Sequence, residues 1–245
     1  MIKMAKAALI IGASGDIGQA ITQHLAANGW SLYLHYFQHA RPVRKLQTQL
    51  IKQYPKQDFF ALQADLTKTG QLQQLTSQLF QVDAVVFAAG ITYYGLFQKL
   101  SASQLEQLWI MHVKAPLLLC QRLSAKLARS GAGRIVFIGS VYGGSGSPLE
   151  VAYSTVKGAQ SAFVNAYARE VASLGITVNV VAPGAVDTKM NQMFDQQAKT
   201  ALRQEIPVSR LAQPAEIAYW VGALLKSGAS YLTGQTLYVT GGWRR

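Results

Sequence analysis

One cysteine, Cys120, stands in 245 residues, which excludes an internal disulfide; it sits in an apolar run and is expected to pack. No uninterrupted apolar run approaches the roughly 18 residues that a membrane-spanning helix needs. The N-terminus, Met-Ile-Lys-Met-Ala-Lys, runs straight into a strand-like segment without the layout of a signal peptide, so a cytoplasmic location is expected. Acidic residues are scarce, 11 against 23 Lys and Arg, for a net charge of +12. Such a surface suits nucleic acid, membrane or an acidic protein. The cations are scattered, however, with no dense block or aromatic-interleaved stripe, so no nucleic acid and no membrane is expected as a partner. No Pro/Ser-rich linker and no repeat interrupts the chain, and one domain over residues 1–245 is expected. Hydrophobic residues make up 50% of it, enough for a large core rather than a disordered chain.

What is present alternates. Ala7–Ile11 reads as a strand, followed by a helix over about Ile17–Asn28 that Gly29 closes. Ser31–His35, Phe59–Ala64, Ala84–Ala88, Arg134–Ile138, Thr177–Ala182 and Thr236–Val239 read as further strands. Helical stretches cover about Ala102–Arg129, Ala152–Leu174 and Pro214–Leu225, and residues 185–212 read as a mobile helical insertion. Strands separated by helices imply right-handed crossovers. The expected fold is therefore α/β: a single-domain Rossmann fold, a doubly wound parallel sheet of about seven strands with helices on both faces.

Two motifs carry chemistry. Gly12-Ala13-Ser14-Gly15-Asp16-Ile17-Gly18 follows the first strand and opens the first helix. Glycines there let the backbone approach a pyrophosphate, and the helix N-terminus offers free N–H groups and a positive dipole end. The second strand ends Leu34-His35-Tyr36-Phe37 with no Asp or Glu, and Arg41, Arg44 and Lys45 follow. An acidic residue at that point would bind ribose hydroxyls and repel a 2′-phosphate; its absence favours NADP(H) over NAD(H), with His35 as a possible donor to the phosphate. The second motif is Ser140 at the end of an apolar run, then Tyr153 and, four residues on, Lys157. On a helix Tyr153 and Lys157 share a face. An ammonium beside a phenol favours the phenolate and is expected to lower the phenol's pKa from about 10, while the serine holds a carbonyl oxygen. That set suits carbonyl reduction, and no metal is called for.

Gly12–Gly18, Asp65, Ala88-Ala89-Gly90, Ser140, Tyr153, Lys157 and Pro183-Gly184 fall in the order and spacing of the short-chain dehydrogenase/reductases, a family this chain resembles over essentially its whole length. Gly175–Gly184 and Tyr231–Gly242 are especially similar to bacterial 3-oxoacyl-[acyl-carrier-protein] reductases. The resemblance implies NADPH/NADP as cofactor, with Gly12, Ser14, Gly15, Ile17 and Gly18 around its diphosphate and His35 and Tyr36 at the end of the second strand. Asp65 would accept from the adenine amino group, Leu66 would flank the ring, and Ala88, Ala89 and Gly90 would pass the adenosine ribose. Tyr153 would be the general acid, Lys157 would also bind the nicotinamide ribose, and Ser140 would orient the carbonyl. Pro183, Gly184 and Val186 would face the nicotinamide, with Thr188 near its carboxamide or the diphosphate, and Thr188–Ile206 would form a substrate lid.

Three departures stand out. Asp16 occupies a family glycine position, repulsive toward a pyrophosphate and expected to point away. Ala88 replaces an asparagine that ties neighbouring strands. His112 stands where the family has the asparagine that distorts its helix so that a backbone carbonyl binds a water linked to the lysine; the histidine either keeps that water, replaces it with a ring nitrogen, or merely packs. For the ketone, an acyl group on acyl carrier protein is one expectation, although Leu174 replaces an arginine that helps dock the carrier. The other is the 5-aminopentanone modification on elongation factor P, since Ser31–Tyr36, Ser140–Gly144 and Pro183–Thr188 resemble that Gram-positive subgroup. A non-catalytic NADP-binding regulator is a lesser alternative, because such proteins usually lose the Tyr or Lys. A homotetramer or homodimer is implied, built through the helices around 102–129 and 152–174 and the C-terminal region; the run Pro116–Cys120 and the exposed-looking tail Trp243–Arg245 fit an interface, although core packing explains the first equally well.

Overall fold

β1 (Ala7–Ile11) is buried at every position, as a strand covered on both faces requires. Its side chains alternate between two cores: Leu9 and Ile11 enter one, Ala8 and Ile10 the other. The computed structural model describes residues 6–189 and 196–243. β2 (Ser31–Tyr36), β3 (Phe59–Gln63), β4 (Ala84–Phe87), β5 (Arg134–Ile138), β6 (Thr177–Pro183) and β7 (Thr236–Val239) complete a seven-stranded sheet ordered β3-β2-β1-β4-β5-β6-β7. Every pairing is parallel. The order reverses between β1 and β4, and the crevice beyond their carboxyl ends is where such sheets bind ligands.

α1 (Asp16–Ala27), α2 (Ala40–Gln53) and α9 (Pro214–Leu224) cover one face through Ile21, Leu25, Val43, Leu46, Ile217 and Val221. α3 (Thr69–Ser77), α5 (Ala115–Ala128) and α7 (Val151–Val171) cover the other through Leu72, Leu75, Leu119, Leu123, Val164 and Ala168. The strands expected from the sequence all form, with ends moved by a residue at most; α2 and α3 are additions to that reading. The long helical stretch expected over 102–129 is not continuous. α4 (Ala102–Trp109) opens with a capping box between Ser101 and Gln104, passes into a π turn at Ile110–Lys114, and resumes as α5 with Pro116 in its first turn.

Of the two candidate interface segments, one is decided by packing and one is corrected. In the run Pro116–Cys120, Pro116, Leu119 and Cys120 are buried within the chain's own core, so core packing accounts for them. Trp243 is not an exposed tail residue: it packs with Val141 and Ile206, meets the Tyr142 ring edge at 5.9 Å, and donates to Glu205 Oε2 at 3.3 Å. The remaining tail residues, Arg244 and Arg245, lie outside the described residues. In the expected lid, residues 190–195 lie outside them too. Beyond these the chain forms α8 (Gln196–Glu205), with Ile206 buried and Val186 bridging to Ala212. α6 (Tyr142–Ser145) is a single turn after β5.

Candidate active site

A cleft of about 1760 Å³ runs along the carboxyl ends of β1, β2, β4, β5 and β6. Every residue expected to bind cofactor or to catalyse lines it.

At the nucleotide end the backbone does most of the shaping. Gly12 has φ +88°, and a Cβ there would meet Ala89 N at 2.5 Å, so only glycine fits. At Gly18 a Cβ would collide with the Gly12 carbonyl oxygen. Gly15 differs: its nearest neighbour would be Gly12 O at 3.7 Å, so a side chain there would fill the open cradle instead of clashing. That cradle, ending at the N-terminus of α1, fits the diphosphate of a dinucleotide. Beyond β2, His39, Arg41 and Lys45 line the cleft, while Arg44 donates to the Tyr36 hydroxyl at 3.4 Å. Asp65 lines the wall and folds its own turn, its Oδ1 accepting from the Thr67 amide at 2.9 Å and hydroxyl at 2.7 Å. Leu66 is buried beside it.

His35 does not serve as expected. Its ring is buried, Nδ1 accepts from the Gly12 amide at 3.2 Å, and Nε2 lies 3.0 Å from the Ala64 carbonyl. Those contacts set the proton on Nε2 and leave no ring nitrogen to donate to a phosphate. Burial pulls its pKa down to about 4, so it is neutral at ordinary pH. The Asp16 carboxylate is tied to main chain. It is held at the cleft wall, where Oδ2 accepts from the Lys189 amide at 2.7 Å, joining the first turn of α1 to the start of the segment after β6. Ala88 keeps a strand tie by its backbone alone, donating to Ile11 O at 2.8 Å.

At the other end, Ser140 leaves β5 with its Oγ accepting from the Tyr142 amide at 3.2 Å and paired with the Tyr153 phenol. Lys157, one turn further along α7, holds its Nζ 5.5 Å from the Tyr153 ring centroid. Nζ donates to the Ile138 carbonyl at 2.7 Å and to Gln160 Oε1 at 3.3 Å. The electrostatics run opposite to the sequence expectation. Burial, reinforced by the nearby Glu150 carboxylate, raises the phenol's pKa above its ordinary value, against a smaller lowering from Ser140. Burial also pulls Lys157 down to about 7. Desolvation of both groups outweighs the attraction of an ammonium for a phenolate.

His112 sits fully buried in the π turn, its ring edge-on to Tyr153 at 5.5 Å. Nε2 is 2.8 Å from Ile91 O and 3.2 Å from Ile91 N, while among the described residues Nδ1 has no partner. Its pKa falls to about 3, chiefly by burial and then by the Lys157 charge. The helix distortion is thus present with histidine in place of asparagine. Pro116 has no N–H to give the carbonyl four residues earlier, and Gln160 Nε2 donates to that His112 carbonyl at 2.7 Å. Gln160 is absent from the sequence reading; its signal is a polar residue on the buried face of a helix, three positions after Lys157. Glu150 is the second omission. It accepts from Thr92 Oγ1 at 2.8 Å, and burial raises its pKa.

A family model described as enoyl-(acyl carrier protein) reductase matches residues 12–244. The chain belongs to the short-chain dehydrogenase/reductase family. It is 42% identical to the Bacillus subtilis protein named uncharacterized oxidoreductase YmfI, over 98% of this chain and 99% of that one. To the 3-oxoacyl-[acyl-carrier-protein] reductase FabG of Staphylococcus aureus it is 31% identical, over 98% and 99%. Among solved structures, a blue fluorescent protein from a metagenomic library, in complex with NADPH, superposes with a TM-score of 0.91 at 30% identity, covering 98% of each chain. This short-chain dehydrogenase/reductase is accordingly an oxidoreductase.

Proposed function

We propose that the chain reduces a ketone to an alcohol with NADPH. The observation that carries this is the Ser140–Tyr153–Lys157 group, with Ser140 and Tyr153 half-buried and Lys157 buried, in a cleft that also holds a glycine cradle flanked by Arg41 and Lys45. Those cations suit a 2′-phosphate, and the NADPH complex of the structural relative supports the same cofactor. When bound, the nicotinamide provides the hydride. Burial keeps the Tyr153 phenol protonated at neutral pH, the state required of a donor to a carbonyl oxygen gaining negative charge. Ser140 orients that oxygen, and Lys157, near half protonation at pH 7, compensates the phenolate left behind. Trp109 and Val151, exposed on or beside the helices expected to mediate assembly, support a homodimer or homotetramer.

For the ketone, the acyl reading rests on the FabG relatives and on the basic surface, which suits acidic acyl carrier protein. A specific feature favours the second reading, a protein-bound aminoketone such as that on elongation factor P. In a chain of net charge +12, Glu106, Glu150 and Glu205 all line the substrate end of the cleft, where a substrate ammonium would be matched. NADPH oxidation and a two-dalton mass gain separate the readings. Turnover of elongation factor P carrying the ketone, with near-silence on acetoacetyl thioesters, is the expected result; the reverse overturns the aminoketone reading. Glu150→Gln should raise KM for an amine-bearing ketone about tenfold and leave KM for a neutral ketone unchanged.

A further inference from the structure

We propose that Gln160 is the positioning residue of Lys157, its side-chain amide standing where a solvent link would otherwise join the lysine to the His112 carbonyl. The inference rests on the reading of Tyr153 and Lys157 as the reducing pair. Gln160 is 2% exposed and touches both ends of the gap: Oε1 accepts from Lys157 Nζ at 3.3 Å, and Nε2 donates to His112 O at 2.7 Å. It lies outside the wall of the cleft, which Tyr153, Lys157 and His112 all line, so it acts through the lysine and not on a substrate.

Two fixed acceptors, Ile138 O and Gln160 Oε1, set the rotation of the Lys157 amine. In the ammonium, the third N–H is directed to the cleft; in the neutral amine, the lone pair is. A carboxamide does not titrate near neutrality and cannot take up one proton while releasing another, as a water can. The His112 carbonyl is therefore closed as a route for protons. During reduction Tyr153 gives its hydroxyl proton to the carbonyl oxygen, the Lys157 ammonium returns a proton to the phenolate by way of a hydroxyl or water in the cleft between them, and the neutral amine recovers one from solvent on the cleft side. Gln160 holds the amine oriented through all three transfers.

The titratable groups facing Lys157 are Tyr153 on its own helix and His112 from the π turn. The end of β5 presents the Ile138 carbonyl and Ser140, while Tyr142 of α6 and Glu150, just before α7, act on Tyr153. Gln160 is thus the polar side chain whose removal changes the lysine without adding or deleting a charge.

The test follows Lys157 itself, by NMR of lysines labelled at Cε in the cofactor-free full chain, with Lys157→Arg identifying the resonance. Gln160→Leu fills the space without an acceptor and should lower the Lys157 midpoint by about one pH unit. Gln160→Ala leaves room for a water and should return the midpoint toward the parent value. In the holoenzyme the same order should appear in the pH dependence of kcat, with KM for NADPH little changed. An unmoved Lys157 midpoint in Gln160→Leu overturns the proposal, as does a Gln160→Ala midpoint no closer to the parent. If Gln160→Leu does not fold, Gln160→Asn carries the test, because the shorter amide cannot span both partners and should lower the midpoint likewise. Failure of the reducing-pair reading would show separately, as turnover surviving Tyr153→Phe with the Lys157 titration responding as expected.

Discussion

Two buried histidines, at opposite ends of one cleft, are used in different ways. His35 beneath the glycine loop has both ring nitrogens engaged by main chain, the Gly12 amide on one side and the Ala64 carbonyl on the other. His112 beneath Tyr153 engages the Ile91 backbone through Nε2, while among the described residues its Nδ1 has no partner. The first is a stitch between β1, β2 and β3, and its ring replaces nothing a ligand needs. The second belongs to a side-chain chain of contacts, His112–Gln160–Lys157, in which each member changes the next. The nucleotide end is thus fixed by backbone shape and tolerates exchange of side chains that merely line it. The carbonyl end depends on side chains whose charge states are set by burial.

The largest effect that contrast predicts is at the phenol. Tyr153→Phe should lower kcat about 1,000-fold, the size of a lost general acid, with NADPH affinity, measured by fluorescence titration, nearly unchanged. His112→Ala should cost much less turnover, about tenfold, while lowering thermal stability by about 2–3 kcal/mol through the cavity beside Gly90. Equal losses of turnover from both would erase the distinction between acid and support.

The next effect concerns stability against pH. The folded pKa of His35, about 4, lies below the ordinary 6.5. Above pH 6.5 it is neutral in both states and its contribution is complete. As pH falls from 6.5 toward 4, the unfolded chain takes up the proton first, so stability is lost across that window, by about 3 kcal/mol in total. Urea unfolding of His35→Gln at pH 7 and pH 5 should show a shallower dependence than the parent; an identical slope would place the acid sensitivity elsewhere. His112, at about 3, acts in the same direction and extends the loss to lower pH.

The smallest predicted effect is at Asp16. Asp16→Asn retains an acceptor for the Lys189 amide and removes a negative charge from the diphosphate cradle. NADPH affinity should rise about three- to tenfold, most at low ionic strength. Unchanged affinity across salt concentrations would mean that the carboxylate is already too far from the diphosphate to matter.

Legibility differed along the same division. Fully buried parallel strands are near-continuous apolar runs, so Ala7–Ile11 and Arg134–Ile138 were readable to the residue, as was the half-buried edge strand Thr236–Val239. α2 was not, because Arg, Lys and Gln fill Ala40–Gln53 around a narrow stripe of Val43, Leu46 and Leu50. α3 buries little more than Leu72 and Leu75 from nine residues. The π turn depends on Pro116 and tertiary packing, neither of which periodicity reports. Trp243 carries no local sign that Val141, Ile206 and Tyr142 will enclose it.

Local pattern by itself determined the order of the strands and helices, the glycine loop at the mouth of α1, and the one-turn spacing of Tyr153 and Lys157, because each depends on neighbours within a few residues. Folding decided what those groups are. Desolvation raised the phenol and lowered the lysine, Gly12 and Ala64 occupied the ring of His35, and Gln160 reached across to His112 from 48 residues away. Burial and long-range partners set protonation and hydrogen bonding, and a linear sequence contains neither until the chain has closed on itself.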